Sequence, residues 1–408
     1  MKRRNFLSSM LAGSGLLLPV SPHIWAATAE QATQKKLIVI MLRGAVDGLN
    51  VVAPYGDSEY AHLRPTIALG KPGQENGVID LDGYFGLHPA LADLQTLWNE
   101  KKIAFIHSSG SPDTTRSHFD AQDYMESATP GKKSTQDGWM NRVLAGLPGV
   151  STPTRAISIG AVMPRILSGP AIASNIASGA AGTKANVLDK PQIGNAFEQL
   201  YQGNQKYAKS YDDAREAHQE MMTASMQNEQ QVANGGAPLP NGFPDDSSRV
   251  ATLMRNDPRI QMVFMALGGW DTHANQGSAK GQLANRLAPL GLGLANLSQR
   301  LGPMFDDTSI VVMSEFGRTV KQNGNGGTDH GHGNVMWVLG GKVSGGKVYG
   351  DWRGLQSDQL YEGRDLAVTT DFRSVLSQIC ERHLGLNDQQ LLKVFPGQTR
   401  LQAGFRFI

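Results

Sequence analysis

One cysteine, Cys380, stands in a chain of 408 residues. It permits no internal disulfide, and the chain has no cysteine cluster or haem motif. On the apolar face of an expected helix, Cys380 reads as packing. Past the N-terminal segment, no apolar run is long enough to span a membrane. An excess of either charge is also lacking. The formal charge is +2, and setting aside Lys2, Arg3 and Arg4 at the acid-free N-terminus leaves the remainder near −1. Composition therefore offers nothing to nucleic acid or to an anionic membrane surface. A Gly-rich dinucleotide fingerprint is missing too, so a metal-dependent oxidoreductase has little to rest on. What the chain has in quantity is glycine, 47 residues, as expected where loops pass close to other groups. Its length suffices for one large α/β domain or two smaller ones.

Residues 1–29 read as a targeting segment. Lys2-Arg3-Arg4-Asn5-Phe6-Leu7 is a paired-arginine head, Leu11 to Val20 a modest apolar core, and Ala27-Thr28-Ala29 a small-residue cleavage site. The segment resembles a twin-arginine export signal. That implies the twin-arginine export machinery as a partner, a periplasmic location and a protein folded before export, often with metal already in place. Residues 30–408 then form the working domain.

Apolar runs of strand length recur along that domain: Lys36 to Leu42, Ile103 to His107, Ile260 to Leu267, Ser309 to Met313 and Val335 to Leu339. Helical spacing separates them, at His88 to Lys101, Phe119 to Ser127 and along Leu283, Leu287, Leu290, Leu294, Leu297 and Leu301. This is the doubly wound rhythm of an α/β fold. Residues 53–87 look like a surface excursion, and 130–190 like short strands and loops. Residues 190–250 look like a helical insertion, in which His218 is solvated and Asn234 to Asp246 forms a loop or lid. Gly345 to Leu355 reads as a hairpin or edge excursion. A helix over Asp371 to Leu384 has Asp371 as its N-cap and a structural His383 near its end, and the tail beyond is loop.

Chemistry-bearing residues gather where strands end. Asp47 follows the first strand, although its Asp-Gly pair also suits a plain turn. After the second strand, Thr114, Thr115, Arg116, Ser117 and His118 lead into a helix N-terminus, an anion-favouring setting in which a hydroxyl could attack an ester. Ser117 with Asp120 is also a near capping box. Asp271 and His273, two apart, can reach one ion, or can cap a helix and face solvent. Glu315 ends the fourth strand, with Arg318 beyond it, and Asp329-His330-Gly331-His332 precedes the fifth. In a parallel sheet these ends share one edge. Asp, Glu and His together suit zinc, manganese or iron, as one ion or two.

At LRGAVDGLN, SHFDAQDYMES, GGWDTH and SEFGRT…DHGHGN the chain resembles the domain of unknown function 1501 family, over nearly all of residues 30–408. That family looks related to the alkaline phosphatase and sulfatase superfamily. The resemblance implies an alkaline phosphatase-like α/β fold, with a mainly parallel sheet between helices. It implies metal ligands at Asp47, Asp271, His273 and Glu315, with His330 the best match for the last histidine and His332 its rival; Asp329, read from the loop itself, is a further candidate ligand. It implies a nucleophile among Ser117, Thr115 and Thr114, with Arg116 and His118 beside it. Glu315-Phe316 falls where relatives carry Asp-His, one imidazole fewer. The expected activity is metal-dependent cleavage of a small-molecule phosphate or sulfate ester. The rival is a non-catalytic envelope binding or assembly protein that keeps the fold.

Overall fold

The first strand, β1 (Lys36–Leu42), is buried along its whole length. Its residues divide by period two. Ile38, Ile40 and Leu42 enter one apolar cluster, and Leu37, Val39 and Met41 enter another. A strand that buries both faces must lie inside a sheet covered on both sides. The computed structural model, which describes residues 35–179, 233–397 and 404–408, places it there. These residues belong to one compact unit, Lys35–Ile408. The expected export segment at 1–29, His218 and most of the expected insertion at 190–250 lie outside the described residues.

Among the described residues the main sheet has nine strands. After β1 come β2 (Ile103–Gly110), β3 (Ala156–Ile159), β4 (Ser174–Ile176), β5 (Met262–Leu267), β6 (Thr308–Ser314), β7 (Asn334–Gly340), β8 (Lys347–Tyr349) and β9 (Thr370–Asp371). The order is β8-β2-β7-β6-β1-β5-β3-β4, with β9 also on β2. All pairings are parallel except those of β7, which runs against both β2 and β6. The fold is therefore α/β with a mainly parallel sheet, as expected. The reversal of β7 matters, because the loop that enters it lies at the edge where β1, β5 and β6 end.

Helices cover both faces. On one, α3 (Phe243–Asn256) and the twenty-residue α4 (Gln282–Leu301) meet the Ile38 side of β1. On the other, α2 (Trp139–Gly146) and α5 (Phe372–Arg382) meet the Leu37 side. The helix α1 (His118–Ser127) follows β2 and starts at the sheet edge. Asp371 caps α5 through Arg373 N–H at 2.9 Å.

Four local expectations are corrected. The 53–87 excursion joins Val52–Ala53, Ile79–Asp80 and Gly86–Leu87 in a small sheet of its own. The loop expected over Asn234 to Asp246 already contains the start of α3, because Pro244 in the first turn forfeits no helix hydrogen bond. The segment 130–190 holds the helix α2, and the tail holds a further helix, Asp388–Val394, capped by Asn387. In both cases an element of only seven or eight residues, about two turns, is too short to show a helical period. No helix among the described residues is long and apolar enough to cross a membrane.

The fold also stores an acid sensitivity. His107 of β2 is buried against Phe85 and Trp352, and its Nε2 bonds the Val52 carbonyl at 2.9 Å. Burial pushes its imidazole down to about 4. The unfolded ring takes a proton near 6.5 and the folded ring does not, so stability is lost as pH falls from about 6.5 towards 4. The loss from this group is about 3 kcal/mol at pH 4. Unfolding free energies measured across that window should fall more steeply for the wild type than for His107→Gln. Equal slopes would overturn the assignment.

Candidate metal centre

Each strand end at the shared edge delivers a polar side chain through a turn that leaves room for it. Beyond β5, Gly268 and Gly269 (φ +90°) lead to the buried Trp270 and then Asp271. Beyond β1, Gly44 (φ +114°) packs so closely that a Cβ there would stand 2.8 Å from the Asp271 backbone nitrogen. Only glycine allows this approach. Glu315 follows β6 directly, and His330 comes from the loop into β7, where Arg318 and His330 form a β-bridge. His118 is the first residue of α1, and the Ser117 side chain before it accepts from Asp120 N–H as N-cap.

His118, Asp271 and His330 bring one ligand atom each within 4.8 Å of one another. His118 Nε2 and His330 Nε2 are 3.0 Å apart, and they lie 3.7 and 3.4 Å from Asp271 Oδ1. His273 joins them, with Nε2 at 3.0 Å from Asp271 Oδ1 and 3.0 Å from His330 Nε2. The other nitrogen of each ring faces an acceptor: His118 Nδ1 meets Glu315 Oε1 at 2.8 Å, His330 Nδ1 the Arg116 carbonyl at 2.9 Å, and His273 Nδ1 Asp329 Oδ1 at 3.2 Å. Carboxylates and carbonyls accept, so each Nδ1 carries a hydrogen and each Nε2 is the atom turned inward, able to hold an ion once it carries no proton. Three such nitrogens around a carboxylate oxygen repel one another unless a proton or a metal ion lies among them.

Burial opposes charging His118, but its hydrogen bonds to Asp271 and Glu315 outweigh that and push it up to about 9. Burial likewise opposes ionisation of Asp271. The three imidazoles and the Arg318 guanidinium nevertheless hold its carboxyl far below the usual carboxylate range. Arg318 Nη1 donates to Asp271 Oδ1 at 2.6 Å. A set of imidazoles and one carboxylate, each ring fixed by an acceptor behind it, fits a divalent transition ion and suits zinc in particular.

Glu315 stands behind the cluster. It is fully buried, and its Oε1 accepts from Gly44 N–H at 2.7 Å and Gln122 Nε2 at 2.9 Å as well as from His118. Asp329 likewise backs His273. Asp47, fully buried, pairs with Arg64 at 2.5 Å. His332 turns to the Ser111 carbonyl at 3.0 Å and packs edge-on against Tyr361. The expected ligands thus divide: Asp271, His273 and His330 meet at the cluster, Glu315 and Asp329 orient rings, and Asp47 and His332 have other partners.

Among the catalytic candidates, His118 enters the cluster itself. Arg116 is held by Glu362 at 2.9 Å and Asp365 at 2.7 Å, so its charge is already countered. Thr115 Oγ1 accepts from Ser117 N–H at 3.3 Å, and Thr114 and Ser117 are exposed. Sequence reasoning missed Gln122, Gln276 and Arg64. Gln122 was the readable one, since it lies four residues after His118 on the same helix face.

The family described as Protein of unknown function (DUF1501) matches residues 98–395. No curated protein matches the chain. Solved structures resemble it at low identity. One is Ps i-CgsB in complex with k-i-k-neocarrahexaose, with 11% identity, TM-score 0.40, and coverage of 87% of this chain and 73% of that one. A protein in the alkaline phosphatase superfamily from Vibrio parahaemolyticus has 9% identity, TM-score 0.39 and coverage of 77% and 62%. The PsFucS1 sulfatase from Pseudoalteromonas sp. has 13% identity, TM-score 0.37 and coverage of 90% and 73%.

Proposed function

The chain belongs to the family described as Protein of unknown function (DUF1501), and from the cluster at its sheet edge we propose a metal-dependent hydrolase that acts on a phosphate or sulfate ester. The observation that carries the reading is the convergence of His118, His273 and His330 Nε2 on Asp271 Oδ1, with every Nδ1 tied back. When bound there, a divalent ion supplies a Lewis acid for the ester oxygen and a nucleophile at neutral pH. His118, His330 and Asp271 are the ligands. His273 has a side chain 40% exposed and lies on the solvent side, where a substrate arrives. Ser117 lies in sequence between Arg116, whose carbonyl holds His330, and His118, and its exposed hydroxyl accepts from Asp120 N–H at 3.4 Å. The N-terminus of the ten-residue α1 opens at the same place and favours an anionic group.

One observation favours the second reading, a binding protein without turnover: Glu362 and Asp365 already occupy Arg116. Hydrolysis of p-nitrophenyl phosphate and p-nitrophenyl sulfate by zinc-loaded protein separates the two. The hydrolase reading expects turnover of at least one, lost in Asp271→Asn. Ser117→Ala tells whether that hydroxyl attacks. Stoichiometric metal without turnover of either ester leaves the binding protein.

A further inference from the structure

Asp47 and Asp271 are the two carboxylates that end β1 and β5, neighbouring parallel strands, and each already has a buried arginine on it. Arg64 is fully buried. Its Nη1 donates to Asp47 Oδ2 at 2.5 Å and to Asn50 Oδ1 at 3.0 Å, its Nε to the Val320 carbonyl at 2.8 Å, and its Nη2 to the Thr319 carbonyl at 2.8 Å. Gln276 Nε2 donates to the same Asp47 oxygen at 2.6 Å. A relay then runs to the cluster. Gln276 Oε1 accepts from Thr328 Oγ1 at 3.1 Å, Thr328 Oγ1 accepts from Arg318 Nε at 3.1 Å, and Arg318 grips Asp271.

The other oxygen, Asp47 Oδ1, is buried and has no hydrogen-bond partner among the described residues. An ion there would need further lone pairs, and the nearby imidazoles offer none. His88 receives Ala90 N–H on Nδ1 and bonds the Ser278 carbonyl through Nε2, and His107 receives Ser108 N–H on Nδ1 and bonds the Val52 carbonyl through Nε2. Among the described residues, the cluster of His118, Asp271 and His330, with His273 beside it, does not include Asp47. A second dication at Asp47 would also lie against the buried Arg64 guanidinium, where like charges repel strongly.

We propose that the centre is mononuclear, with Arg64 standing at Asp47 in the place a second metal ion would take. This rests on the metal reading above and adds the number of ions and the exclusion of Asp47 from the ligand set. The test is elemental analysis of the full chain after equilibration with excess zinc and removal of free metal, with circular dichroism to verify folding. One zinc per chain is expected in the wild type and in Asp47→Asn, and none in Asp271→Asn. Because Asp47→Asn leaves Arg64 unpaired, the double variant Asp47→Asn/Arg64→Gln, which removes both charges, is measured beside it. Two zinc ions per wild-type chain would overturn the proposal, as would loss of the single ion from a folded Asp47 variant. Zinc-free wild-type protein would instead remove the metal reading on which it depends.

Discussion

His330→Ala should lose zinc binding, and Glu315→Gln should bind zinc roughly 10–100-fold more weakly than the wild type. The two changes differ in kind. His330 presents Nε2 at 3.0 Å from both neighbouring rings, so its removal takes out a ligand. Glu315 touches no ion, and acts by accepting His118 Nδ1–H and by lending negative charge to a ring whose lone pair faces inward. Glutamine is nearly isosteric. With its carbonyl in the place of Oε1 it still accepts from Gly44, Gln122 and His118, so the fold is kept while the charge is lost. Titration against a chromophoric chelator measures both variants. Glu315→Gln with wild-type affinity would mean that the carboxylate does no more than fill space, and His330→Ala with wild-type affinity would remove it from the ligand set.

This division between ligands and the groups behind them was only partly legible in the sequence. The strand cores were plain, because runs such as Leu37 to Leu42 and Ile310 to Met313 are too apolar for anything but a doubly covered sheet. The convergence of strand ends followed from that. What the sequence could not carry was partnership across hundreds of residues. Arg64 lies in a stretch that reads as a surface excursion, and its burial arises from carbonyls about 255 residues further on. Nothing local marks Asp47 as already matched by a cation. His330 and His332, two apart in one motif, are rivals in the sequence, with His330 the better match. The structure separates them because Gly331 packs its backbone against Arg318, where a Cβ would be 2.5 Å from that residue's carbonyl carbon. The imidazole that looked missing at Phe316 is matched by one from another element: His118 arrives from α1, and Phe316 stacks on its ring at 4.8 Å.

The same buried arginine gives the largest expected effect on stability. Arg64→Met should destabilise the fold by about 3–5 kcal/mol, the range for removing one partner of a buried ion pair. Three losses act together. The Asp47 carboxylate stays buried without its cation. The Thr319 and Val320 carbonyls lose their donors, and so does Asn50 Oδ1, although Tyr60 still donates to it at 2.9 Å. Met fills the volume of the Arg stem, so the cost is electrostatic rather than a cavity. Arg259→Ala provides the contrast. Its pair with Asp257 lies at the surface, where solvent and salt screen it, and the unfolding midpoint should scarcely move. Denaturant unfolding of the metal-free proteins measures both, and a loss below about 1 kcal/mol for Arg64→Met would contradict the pairing. Thr319 and Val320 directly follow Arg318, so freeing them loosens the arginine that holds Asp271. Zinc should therefore bind Arg64→Met more weakly than the wild type, and titration with a chromophoric chelator measures the difference.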